Sequence, residues 1–329
     1  MKILITGGGG FIGSHLAELL VSKSNIKKVY IFDHFKDGSF KNLKNIKSNK
    51  KLIIKKIDIR NYQKLSKLFI NFDVVIHLAA LSDIVPSIED PSDYMNTNVN
   101  GTLNILELMR KKNVKKIIYA ASSSCYGIPK KIPTSELDEI KPMYPYAFSK
   151  NIGEQSIIHW SKVYGIKFMS LRLFNVYGTR SRTTGAYGAA IGVFLRQKLS
   201  NKPFTVVGDG KQKRDFIHVK DVAEAFYKSI YATKANKILN IGYGKPYSVN
   251  QMIKILKGEK IYIPKRPGEP QVTHANIKNA RKILNWIPKI DLADGLQDVL
   301  KNINYWKNAP LWNKNKIKIA TNKWFKYLK

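Results

Sequence analysis

Three things are scarce in this sequence. Cysteine occurs once, at Cys125, so no intrachain disulfide can form, which fits a reducing, cytoplasmic compartment. Long hydrophobic runs are missing: no apolar stretch approaches the roughly 18 residues of a membrane span. MKILIT leads directly into a strand pattern, without the marks of a signal peptide. No membrane association is expected. Acidic residues are few, 23 against 57 Lys and Arg, and the formal net charge is +34. Such an excess raises polyanions as partners. Yet only 9 of the basic residues are Arg and 48 are Lys, spread along the whole chain. The densest run, residues 41–56 (KNLKNIKSNKKLIIKK), lacks the interleaved aromatics of a base-stacking platform. Nucleic acid is therefore set aside as a partner. The charge is expected to favour small anions such as nucleoside diphosphates. Solenoid repeats and low-complexity linkers are also absent, and no metal is called for.

What is present alternates. With 329 residues the chain is long enough for one large α/β domain or two units, each with a core. Runs at 2–6 (KILIT), 28–33 (KVYIFD), 51–58 (KLIIKKID), 73–80 (DVVIHLAA) and 115–122 (KKIIYAAS) read as strands. Between them, Phe11, Ile12, His15, Leu16, Leu19 and Leu20 fall at helical spacing, and segments near 61–70 and 98–112 read as helices. This rhythm predicts an α/β fold with a Rossmann-type, doubly wound parallel sheet. Residues 167–178 (KFMSLRLFNVYG) read as one more strand with its loop. Beyond it, Gly and Pro punctuation at 208–210, 244–246 and 266–270 predicts a smaller, mixed α/β C-terminal substrate lobe. From that lobe ILNIGY (238–243) is expected to return to the main sheet. The expected division is 1–172 plus roughly 211–245 for the dinucleotide domain, and roughly 173–210 plus 246–329 for the other lobe.

GGGGFIG (7–13) joins the first strand to the first helix. Gly7, Gly10 and Gly13 fit G-x-x-G-x-x-G, and Gly8, Gly10 and Gly13 fit G-x-G-x-x-G. Either pattern makes a tight turn whose backbone N–H groups, with Phe11 and Ile12 opening the helix, can meet a pyrophosphate. Asp33 follows Gly13 by twenty residues at the end of the second strand, the place for a carboxylate on a ribose diol. It would repel a 2′-phosphate, so NAD is expected over NADP. Asp58, with Ile59, ends the third strand; it either bonds the adenine or caps a helix over 59–68.

Tyr146 and Lys150, in YPYAFSK, share one face of a helix at i and i+4. A free tyrosine, with a pKa of about 10, is a poor base at neutral pH. A nearby ammonium and a positive nicotinamide ring favour the phenolate. A drop of about three pH units corresponds to roughly 4 kcal/mol. About two dozen residues upstream, SSSCYG (122–127) ends a strand in three hydroxyls.

Together the glycine run, Asp33, HLAA (77–80), NVNGT (98–102), SSSCYG, YAFSK, FNVYG (174–178) and GDGKQKRDFIHVKDV (208–222) resemble the extended short-chain dehydrogenase/reductase superfamily. Within it they are similar to the NAD-dependent epimerase/dehydratase family, and most to UDP-glucose and UDP-N-acetylglucosamine 4-epimerases. The resemblance runs from Lys2 to about Gly295. It implies Ser122, Tyr146 and Lys150 as catalytic residues. It implies Leu78, Ala79, Ala80 and Asn98, with Tyr146 and Lys150, as further contacts of a tightly bound NAD. His77 is expected to pack near the cofactor rather than act on substrate. Ser123 and Ser124 occupy positions where nucleotide-sugar 4,6-dehydratases carry Asp-Glu. A serine is a poor acid for expelling a hydroxyl, so hydride removal and return is the expected chemistry.

For a nucleotide-diphosphate sugar the resemblance implies Ser82, Ser87, Ser122, Ser123, Ser124, Tyr146, Asn175, Arg214, Arg266 and Glu269. Guanidinium forks suit phosphate oxygens. Thr273, two before Ala275-Asn276, is the implied wall near the sugar C2 substituent; its small size implies room for an acetamido group. TTGAYGAAIGVF (183–194) is the loop expected on the base. A homodimer through the helices near 98–112 and 146–164 is also implied. Two other readings stay open. One is an epimerase or dehydrogenase of another sugar nucleotide (a uronate, or a GDP- or CDP-sugar). The other, suggested by the charge alone, is a non-catalytic dinucleotide- or RNA-binding protein with a dispensable Tyr146.

Overall fold

The computed structural model describes residues 1–181 and 190–328. Its centre is a seven-stranded sheet in which every pairing is parallel. The strands in chain order are β1 (Lys2–Thr6), β2 (Lys28–Asp33), β3 (Leu52–Lys56), β4 (Val74–His77), β5 (Lys116–Ser122), β6 (Lys167–Leu173) and a last strand, Lys237–Ile241. In space they run β3-β2-β1-β4-β5-β6 and then Lys237–Ile241. The reversal of direction lies between β1 and β4, and in open α/β sheets ligands bind there, outside the carboxyl ends of the strands. Thr6, Asp33, His77 and Ser122 all end strands at that edge.

The strands are apolar on both faces because both faces are covered. Ile3 and Ile5 of β1 pack with Leu16, Leu20, Val29, Ile31, Val222 and Phe226 on one side. Leu4, between them, points the other way, to Phe32, Val75, Ile105, Met109, Ile117 and Ile157. Each such fully buried side chain contributes about 1.5–3 kcal/mol. The helix carrying Tyr146 runs Pro145–Tyr164. Pro145 stands in its first turn, where no N–H partner is needed. Gly165 ends it in the left-handed region at φ +70°, donating to the Ser161 carbonyl.

A third apolar cluster lies outside the main sheet. Phe194, Phe204, Val206, Met252, Leu296 and Trp306 form its centre. The parallel pair Phe204–Val207 and Lys260–Ile263 crosses it, flanked by helices Ala190–Leu199, Val249–Leu256 and Leu292–Lys301.

The parallel sheet and the return of residues 237–241 match the expected pattern. The run 167–178 differs: it divides at Phe174 into β6 and a short strand, Asn175–Tyr177. Phe174 is buried and its N–H is bonded to the Ile241 carbonyl. The short strand then leaves the main sheet to pair with Phe216–His218. That departure carries Asn175 toward the third cluster, which holds Tyr177 and Phe216.

Candidate active site

The glycine turn is tight because neighbouring backbone occupies the space of its side chains. Gly7 has φ +73°, and a Cβ there would sit 2.7 Å from the Ala79 nitrogen. A Cβ on Gly13 would sit 2.3 Å from the Gly7 carbonyl oxygen. Helix Phe11–Ser22 starts at Gly10, which offers no side-chain cap, so its first-turn N–H groups have no capping oxygen. Asp33 braces this turn: Oδ2 accepts from Gly9 N–H at 2.9 Å and Oδ1 from Phe35 N–H at 2.7 Å. Burial pushes its carboxyl up, and those two bonds hold it down. A side-chain-free cradle, a helix N-terminus and an adjoining carboxylate fit a dinucleotide.

Asp58 does not cap a helix. Asn61 caps Tyr62–Leu68, and Asp58 is held by the Arg60 fork, Nη2 to Oδ2 at 2.7 Å. Burial opposes its ionisation, but the Arg60 hydrogen bonds leave it below the usual range. Ile59 is buried, with its side chain against Gly101. His77 is fully buried between Thr6 Oγ1 (2.6 Å) and Thr102 Oγ1 (2.9 Å), and burial lowers it to about 3. It is thus a neutral packing residue. Leu78, Ala79 and Ala80 follow it beside the glycine turn, with Leu78 N–H on the Thr6 carbonyl and Ala79 N–H on Thr6 Oγ1. Asn98 clamps the loop after β4, accepting from Leu81 N–H at 2.8 Å and donating to the Leu81 carbonyl at 3.0 Å.

At the end of β5 the three serines separate. Ser122 accepts from Ser124 N–H at 3.2 Å and stands near the Tyr146 phenol, whose pKa it lowers. Ser124 lines the central cavity near the Tyr144 phenol, whose pKa it lowers. Ser123 is half-buried and off the cavity wall. Cys125 packs behind the turn with Tyr126, Phe174, Ala275 and Ile277, and burial pushes its thiol up to about 12.

Lys150 stands one turn below Tyr146, 4% exposed, its ammonium 4.1 Å from the Tyr119 ring centroid. Burial lowers it to about 7, against the pull of Glu154. Tyr146 is raised. Burial is the larger effect on the phenol, and Ser122 is the group that opposes it.

The central cavity, about 460 Å³, reaches from Tyr146 to Phe194. Ser82, Asn175, Arg214, Arg266 and Glu269 line it. Glu269 holds both arginines, at 3.5 Å from Arg214 and 3.0 Å from Arg266. Four expected contacts do not line it: Ser122 and Ser123 at the end of β5, and two that lie elsewhere. Ser87 is buried in helix Ile84–Glu89 with its hydroxyl on the Ile84 carbonyl. Thr273 stands behind Asn175 rather than on the wall, because its Oγ1 accepts from Asn175 Nδ2 (2.9 Å) and Asp215 N–H (3.2 Å). Most of the loop expected on the base, residues 182–189, lies outside the described residues; Ala190–Phe194 do line the cavity. Trp306, Trp312 and Trp324 also line it, and sequence motifs gave no sign of them. The available hint was three indoles in an otherwise polar segment.

Comparison with known proteins agrees with this geometry. The family model for the NAD dependent epimerase/dehydratase family matches residues 3–242. A Methanocaldococcus jannaschii protein, provisionally named a UDP-glucose 4-epimerase, is 40% identical over 314 residues, 93% of this chain and 98% of that one. The UDP-glucuronic acid 4-epimerase of Bacillus cereus was solved with UDP-glucuronic acid and NAD. It is 33% identical, with a TM-score of 0.86 over 92% of this chain and 99% of its own. The UDP-N-acetylglucosamine 4-epimerase of Methanobrevibacter ruminantium was solved with UDP-N-acetylmuramic acid. It is 30% identical, with a TM-score of 0.84 over 92% of this chain and 98% of its own.

Proposed function

This chain belongs to the NAD-dependent epimerase/dehydratase family, and on that premise we propose that it inverts C4 of a UDP-sugar, with N-acetylhexosamines among its substrates. It is an NAD-using isomerase of the 4-epimerase type. The observation that carries the reading is the Tyr146 phenol, with Ser122 beside it, on a cavity that Arg214 and Arg266 also line.

Gly7, Gly10, Gly13, Phe11 and Ile12 would hold the pyrophosphate, and Asp33 the adenosine ribose. NAD⁺ supplies the acceptor and then the donor of the C4 hydride, and its ring adds the positive charge that Lys150 alone does not provide. Tyr146 takes the proton of the 4-hydroxyl, with Ser122 polarising the same oxygen. Arg214 and Arg266 grip the diphosphate while the ketose turns about that linkage. Tyr146 then returns the proton on the other face. Ser123 and Ser124 offer no acid for expelling a hydroxyl, which supports epimerisation over dehydration. Thr273, small and drawn back onto Asn175, leaves space beside C2. We also read the protein as a homodimer through helices Gly101–Lys111 and Pro145–Tyr164, where Phe148, Val163 and Tyr164 are exposed.

The test is purification, assay for bound NAD, and NMR of UDP-glucose, UDP-galactose, UDP-GlcNAc, UDP-GalNAc and UDP-glucuronate with the enzyme. Inversion at C4 of the N-acetyl pair is expected. Inert N-acetyl sugars beside active UDP-glucose refute the substrate reading, and steady formation of NADH from added NAD⁺ refutes isomerisation.

A further inference from the structure

The segment after Trp312 forms part of the cavity, although its sequence offers no motif. Helices Lys314–Ala320 and Asn322–Tyr327 carry Trp324 to the wall. Its indole is 2% exposed, yet it belongs to none of the apolar clusters among the described residues. Polar and aromatic groups stand against it. Nε1 donates to the Pro267 carbonyl at 2.8 Å. The Arg266 guanidinium lies 5.2 Å from its ring. The Tyr144 ring lies 6.3 Å away, and Tyr144 is itself parallel to Tyr146 at 6.4 Å. Helix Asn322–Tyr327 rests on helix Ile84–Glu89, whose first residue lines the cavity. Leu328, in turn, faces Gly268 of the turn that carries Arg266.

One buried ring therefore touches an arginine, the turn that presents it, and the tyrosine beside Tyr146. An indole that only filled a core would be surrounded by aliphatic side chains. Its flat face suits a guanidinium, held by the ring quadrupole.

We propose that Trp324 is a positioning residue that fixes Arg266 and roofs the sugar end of the cavity, retaining the ketose between proton removal and proton return. This rests on the epimerase reading above. In that reaction the 4-hydroxyl proton goes to Tyr146 and the C4 hydride to NAD⁺. Each ketose lost to solvent then leaves one reduced nicotinamide behind.

The experiment compares the NAD-bound wild type with Trp324→Ala, Trp324→Leu and Trp324→Phe. UDP affinity is measured by calorimetry, KM and kcat by NMR, and reduced nicotinamide by its fluorescence. Trp324→Ala and Trp324→Leu are expected to weaken UDP binding and raise KM about tenfold, which is about 1.4 kcal/mol. Their kcat should change by less than about threefold, and reduced nicotinamide should build up with substrate. Trp324→Phe should restore all three, because it keeps a π face. Wild-type affinity and no build-up in Trp324→Ala overturns the proposal, as does full rescue by Leu. If the wild type turns over no nucleotide sugar, the epimerase reading fails, and the UDP titration still decides whether Trp324 holds Arg266.

Discussion

Replacing Lys150 by Met should stabilise the protein at neutral pH while removing its turnover. Lys150 is 4% exposed, and its ammonium faces the Tyr119 ring at 4.1 Å. Burial lowers its pKa from 10.5 to about 7. Below about pH 7 the lysine is charged both folded and unfolded, and the folded state carries the full desolvation penalty. Between about 7 and 10.5 the unfolded chain keeps a proton that the folded chain has released, so stability rises with pH. At about 1.4 kcal/mol per pH unit the whole span is worth about 5 kcal/mol. Methionine removes that penalty and also the attraction of the ammonium to the ring, about 0.5–2 kcal/mol. Its sulfur recovers part of this, about 0.3–1.5 kcal/mol. A net gain of about 3–6 kcal/mol at pH 7 is expected. The assay is urea denaturation followed by circular dichroism, on both proteins stripped of nucleotide, from below pH 7 to pH 10. The variant should lead at the acid end, and its lead should shrink as pH rises. A variant no more stable than wild type at pH 7, or a lead independent of pH, would refute the reasoning.

Three further outcomes follow from the site and its supports. Tyr146→Phe should lower kcat by about 10²–10⁴-fold, with bound NAD unchanged, in the same NMR assay; near-wild-type turnover would remove Tyr146 from the chemistry. Thr273→Tyr should lower kcat/KM for UDP-GlcNAc about tenfold or more relative to UDP-glucose, and equal losses on both sugars would refute the C2 argument. Arg172→Met should cost about 3–5 kcal/mol in urea, because Glu154, buried and 2.6 Å from that guanidinium, would be left with Ser170. The double variant Arg172→Met/Glu154→Gln should recover part of the loss.

How much was legible depended on the range of the interactions. The glycine turn, Asp33 and the Tyr146–Lys150 spacing are local patterns, and a strand–turn–helix or one helical face shows them directly. The alternating strands likewise announced the parallel sheet, since strands buried on both faces read as near-continuous apolar runs. The protonation of Lys150 was not legible, because it depends on burial by the whole fold, opposed by Glu154. The break at Phe174 depends on a bond to Ile241, far along the chain. Asp58 was ambiguous because a capping carboxylate and one held by arginine look alike until Arg60 turns back on it. Trp324 has no periodic neighbours, and its contacts with Tyr144 and Arg266 join residues far apart in the chain.

The order of these parts along the chain has a consequence for biosynthesis. The glycine turn and Asp33 lie within the first 33 residues, and the Ser122–Tyr146 pair is complete by residue 146. The sheet gains its edge strand only at Ile241, and the cavity gains Trp324 only near the end of the sequence. A chain emerging from the ribosome therefore carries its dinucleotide cradle and its acid–base pair well before it can enclose a sugar.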